Sequence, residues 1–60
     1  MMSKKKKEKI KYYLIHLMKN LNKSEEEAFN NLYLIIDIAE LAYLVGGVKF
    51  MKEIREEAFK

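Results

Sequence analysis

Two carboxylates, Asp37 and Glu40, stand three residues apart inside the otherwise apolar run Leu32 to Val48. At that spacing they share one side of a helix. Such a pair can hold a divalent metal or pass a proton. Carboxylate-bridged metal bundles need more, namely further glutamates and Glu-x-x-His on facing helices. The sole histidine, His16, has Tyr13 at i−3, so that motif is absent. The chain has no cysteine, which removes thiolate ligands, thiol nucleophiles and disulfides together. Gly46-Gly47 lacks the Lys-Ser/Thr that follows in a phosphate loop. The expectation is a chain that is not an enzyme and takes no metal or cofactor. Asp37 and Glu40 are then expected to bridge to lysines of the first helix, or to mark register in an assembly. His16 reads as a surface or boundary residue.

The second constellation is cationic. Lys4, Lys5, Lys6, Lys7, Lys9 and Lys11 precede Tyr12 and Tyr13. Lysines neutralise phosphates and tyrosines stack on bases, so this tract is the candidate nucleic-acid contact. Base reading favours arginine or Asn/Gln on a recognition helix, and the one arginine, Arg55, lies in the acidic part of the chain. The alternatives are a solvated helix face and attraction to an acidic protein surface.

Positioning these groups falls to helices. Proline is absent, Gly-Gly occurs once, and no run alternates with period two. Glu, Lys, Leu, Ile and Ala favour helix. The fold class is all-α in a single domain, residues 1–60. Residues 1–6 are expected to form a flexible, lysine-rich tail. A short helix over about 5–21 carries the seam Ile10, Leu14, Leu17, Leu21, widened by Tyr13 and Met18. Asn22 is expected to end it in the left-handed region. Ser24-Glu25-Glu26-Glu27 reads as a capping box that opens the next helix.

That next helix is expected to run over about 25–58, continuous or kinked at Gly46-Gly47. The other option is that the glycines end it and a third helix begins at Val48. Continuity is favoured because no capping residue follows the glycines and one apolar stripe keeps its phase across them. The helix carries three stripes. The first is Ala28, Leu32, Ile35, Ala39, Ala42, Gly46. The second is Leu34, Ile38, Leu41, Val45, Val48. The third runs through Phe29, Tyr33, Ile36, then Glu40, then Tyr43 or Leu44, to Gly47, Met51, Ile54 and Ala58.

One short helix covers about one stripe, and a monomer of this length is marginally stable. The hairpin is therefore expected to pair as a homodimeric four-helix assembly. The expected self-association residues are Leu34, Ile38, Leu41, Tyr43, Val45, Gly46, Gly47, Val48, Met51 and Ile54. Tyr33, Tyr43, Phe50 and Phe59 are candidate interface anchors or core.

Charge is split along the chain. Residues 1–23 hold eight lysines and one glutamate, whereas residues 24–60 hold four basic and eight acidic groups. A membrane span over Leu32 to Met51 is disfavoured by its two central carboxylates, and no signal peptide fits the start. The expected location is the cytoplasm, or the host cytoplasm for a phage-encoded chain. Eleven lysines against one arginine suggest an AT-rich coding sequence.

The segment Ala42-Tyr43-Leu44-Val45-Gly46 through Met51 and Glu53 resembles the closing helix of small helical proteins from clostridial and phage genomes. In size and composition the chain is similar to phage-encoded inhibitors of bacterial defence systems. That resemblance implies action by occluding a larger host protein. The function expected is a small helical protein that self-associates and binds another protein. The alternative is a nucleic-acid-binding accessory protein using the Lys4–Lys11 tract.

Overall fold

The computed structural model describes residues 3–60. Among them all regular structure is helical: α1 Lys4–Asn20, α2 Glu25–Asn30 and the long α3 Leu32–Ala58.

Helix α1 starts earlier than the expected tail allows. Ser3 is extended, and its hydroxyl accepts from the Lys6 amide at 3.2 Å. A serine cap contributes about 1 kcal/mol. It opposes the unfavourable placement of Lys4 to Lys7 at the positive end of the helix dipole. Lys4, Lys5 and Lys6 are thus helical, and Met1 and Met2 lie outside the described residues.

The turn differs in one detail. Among the described residues no non-glycine residue has positive φ, so Asn22 is not left-handed. Leu21 closes α1 with its amide on the carbonyls of Leu17 and Met18. The forward half of the capping box forms, the Ser24 hydroxyl accepting from the Glu27 amide at 3.1 Å.

The single helix expected over 25–58 is divided twice. Asn31 leaves the helical region at φ −102°, ψ 17° and separates α2 from α3. Its side-chain amide donates to the Leu21 carbonyl at 3.4 Å. The break is thereby tied to the end of α1. Gly47 then departs completely, with φ 79° and ψ −168°, a conformation open essentially to glycine alone.

At Gly47 the chain reverses. In a continuous helix the Cβ atoms of residues i and i+4 are about 5–6 Å apart. A Cβ placed on Gly46 would lie 2.5 Å from that of Phe50. The contacts give the direction of each arm. The first arm, residues 32–46, begins beside Leu21 through Asn31 and ends with Gly46 beside Lys7, antiparallel to α1. The second arm, residues 48–58, sets Phe50 at Lys7 and Glu53 at Lys11. It therefore runs parallel to α1.

The core confirms the turn. It is built from Leu14, Ile15 and Met18 of α1, Ile35 and Ala42 of the first arm, and Phe50, Ile54 and Ala58 of the second. A straight α3 would carry the last three past the start of α1 into water. Instead Met18 and Ile54 are both fully buried. The structure thus follows the option in which Gly46-Gly47 ends one helix and a third follows.

Candidate interaction surface

The described residues contain no buried polar or charged side chain. Nor do three His, Cys, Asp or Glu side chains converge among them. A shallow groove of about 230 Å³ beside the turn mixes Lys4, Lys7 and Lys49 with Glu8 and Glu53. Its charges largely offset one another. Among the described residues the prominent chemistry is apolar and lies outside.

More large apolar side chains are exposed than buried among these residues. The first arm carries most of them. Its core-facing side is the first stripe, with Ile35 and Ala42 buried and Ala28 and Ala39 packed against them. The second stripe straddles the boundary. Ile38 and Val45 are half-buried, whereas Leu34, Leu41 and Val48 are about half exposed. Along the first arm the third stripe points away from the core, with Tyr33 81% and Leu44 72% exposed, and Ile36 and Tyr43 also open.

Several expected interface residues are placed elsewhere. Ile54 is internal and has no outward surface, because the reversal folds it onto α1. Gly46 admits Phe50 and Lys7 of its own chain. Ala42 is fully buried within the chain, so the close approach that small residues permit is used internally. Met51 and Gly47 are half-buried. Of the candidate anchors, Phe50 is core, whereas Tyr33, Tyr43 and Phe59 are exposed.

Helix α1 contributes surface that the seam did not foretell. It packs against two arms rather than one, so its buried side is rotated onto Ile15 and Met18. Tyr13 and Leu17 are left 60% and 49% exposed. They adjoin Ile10 and Leu21, which are only partly covered.

Asp37 and Glu40 are exposed and bridge to no lysine among the described residues. The expected link to α1 is made instead by the second arm. Lys11 Nζ donates to Glu53 Oε2 at 2.9 Å. The hydrogen bond, reinforced by the opposite charge, lowers the Glu53 pKa and raises that of Lys11. Lys7 Nζ sits 5.3 Å from the centroid of the Phe50 ring, a cation–π contact. Two of the six candidate nucleic-acid lysines therefore serve the fold. Lys4, Lys5, Lys6 and Lys9 remain exposed. His16 is exposed, its Nε2 3.2 Å from the Asn20 amide nitrogen.

No protein-family model, curated protein or solved structure matches the chain. No helix among the described residues is long and apolar enough to cross a membrane.

Proposed function

We propose that this chain is a small non-enzymatic helical protein that self-associates and acts by binding another protein. One observation carries the reading. The first arm of α3 keeps a large part of its apolar surface uncovered after the chain has used its other helices. Contiguous exposed apolar surface of this kind marks interaction sites. Its aromatic members, Tyr33 and Tyr43, are of the type that dominates binding hot spots.

The most concrete form is a phage-type inhibitor that occludes a host defence protein, or a small regulator acting in the cytoplasm. That form rests on the resemblance in size and composition. The test has two arms. Sedimentation of the intact chain reads self-association. Retention of a specific host protein by the wild type and its loss with Tyr33→Glu and Leu44→Glu reads partner binding. A monomeric chain that retains the same proteins with and without these substitutions would remove the proposal.

A nucleic-acid accessory role is the second reading. It is favoured by exposed Lys4, Lys5, Lys6 and Lys9 on the helix that also exposes Tyr12 and Tyr13. It requires duplex affinity that falls steeply with salt and disappears when these four lysines become glutamine.

A further inference from the structure

We infer that a second copy of this chain covers the open side of the layer formed by α1 and the first arm of α3. The two copies are related by a two-fold axis along the helices, so that α1 of each lies over the first arm of the other. This inference rests on the self-association proposed above and adds the face, the axis and the level.

The face follows from where the second arm sits. It packs on the side of α1 that bears Lys11 and on the side of the first arm that bears Gly46. At 100° per residue, Tyr13 and Leu17 lie about 120–160° around α1 from Lys11, and Leu34 and Leu41 about 120–140° around α3 from Gly46. All four are half exposed or more. They flank the half-buried Ile10, Leu21, Ile38 and Val45, so the uncovered strip is apolar and two helices wide. A strip of that shape matches its own copy in a closed, isologous pair.

Charge selects the axis. An axis across the helices would set first arm against first arm, antiparallel about the middle of Leu34–Val45. The Asp37 carboxylates, which flank Leu34 and Leu41, would then lie on the two facing first arms, and the lysine-rich α1 helices would also meet. Like charges in such juxtaposition are disfavoured. An axis along the helices sets residues 4–20, with seven lysines and one glutamate, over the first arm, residues 32–46, with two carboxylates and no cation. Each facing pair of helices then sets a basic helix against an acidic one around the apolar strip.

The level follows from the chain's own pairing. Leu21 is beside Asn31 and Lys7 beside Gly46. Leu17 is therefore level with Leu34, and an axis along the helices keeps levels equal. Leu17 of one copy meets Leu34 of the other. Tyr13 is level with residues 39–40 and so meets Ile38 and Leu41 of the second copy.

The chain has no cysteine, so disulfide trapping reads this contact without interference. A Leu17→Cys chain is mixed with a Leu34→Cys chain and oxidised, and the products are weighed by mass spectrometry. The mixed disulfide is expected to exceed the Leu17→Cys self-product at least severalfold. In a second measurement, Asp37→Asn is expected to weaken the wild-type dimer severalfold, because attraction to α1 is lost. The position is exposed, and far-UV circular dichroism checks that the helices persist. With a wild-type dimer established, cysteine variants that give mainly self-product, or an Asp37→Asn variant that dimerises more tightly, overturn the axis and leave self-association standing. A wild type that sediments as a 7.2 kDa monomer at high micromolar concentration removes both.

Discussion

Lys11 and Glu53 are forty-two positions apart and meet at 2.9 Å. The ion pair fixes the second arm of α3 alongside α1. It can form only because Gly47 has reversed the chain six residues earlier. Its titration gives the first prediction. The Glu53 carboxyl is held below its ordinary 4.5, so its contribution to stability is present above that value and is lost as pH falls through the lowered one. The Lys11 ammonium is raised above 10.5, so its contribution is present below that value and is lost as pH rises through the raised one. The melting temperature of the wild type should exceed that of Glu53→Gln at neutral pH. The gap should close as pH falls through the lowered Glu53 value, where the carboxyl, like the glutamine amide, is uncharged. It should also narrow in molar salt. A gap independent of pH would mean that the pair contributes nothing in solution.

The reversal itself is testable at two adjacent glycines by different mechanisms. Gly47→Ala imposes a side chain at φ 79°. It should cost about 1–3 kcal/mol through backbone strain alone, because open space surrounds the site. Gly46→Ala meets Phe50 Cβ and Cγ at 2.5 Å. Its cost, about 1–3 kcal/mol from overpacking, should persist when Phe50→Leu is added, because leucine keeps both Cβ and Cγ. Chemical denaturation of the two single variants and the double variant measures these terms. Equal stability of Gly47→Ala and wild type would mean that the chain passes this point as an unbroken helix.

Burial of the second arm predicts the behaviour of its core residue. Ile54→Ala should destabilise by about 2–5 kcal/mol, the range for a fully enclosed aliphatic side chain. Val48→Ala, at a half-exposed position on the same arm, should change monomer stability by less than about 1 kcal/mol. Were the two losses similar, the second arm would not be folded onto α1.

Much of the fold is legible in the sequence because its signals are local. The Ser24 cap and the core-facing stripe through Ile35 and Ala42 both follow from spacing. Three features are not legible, for reasons that can be named. Ser3 caps α1, but four lysines in the first turn suggest a frayed tail. Asn31 breaks the second helix through a tertiary bond to the Leu21 carbonyl, and Asn30-Asn31 is a weak signal on its own. The third stripe stays in phase from Phe29 to Ala58, which suggests one helix. The reversal at Gly47 makes that periodicity coincidental.

The candidate surface was legible only in part, for the same reason. Counting stripes shows that some apolar surface must stay uncovered. It does not show that a second arm rotates α1 onto Ile15 and Met18 and so exposes Tyr13 and Leu17. Nor does it show that Asp37 and Glu40 face outward, away from the lysines of α1.

The apolar strip predicts a solubility effect. Leu34→Glu with Leu41→Glu should leave the helices intact, since both side chains are about half exposed. The change should also reduce binding of a hydrophobic dye by dilute protein. Unchanged dye binding would place the uncovered apolar surface elsewhere.

The most direct measurement is sedimentation equilibrium of the intact chain across the micromolar range, beside Leu34→Glu with Leu41→Glu. The account predicts a wild-type mass approaching twice 7.2 kDa, and the monomer mass for the variant at equal helicity. A wild type that stays at 7.2 kDa throughout, or a variant that self-associates as the wild type does, would contradict it.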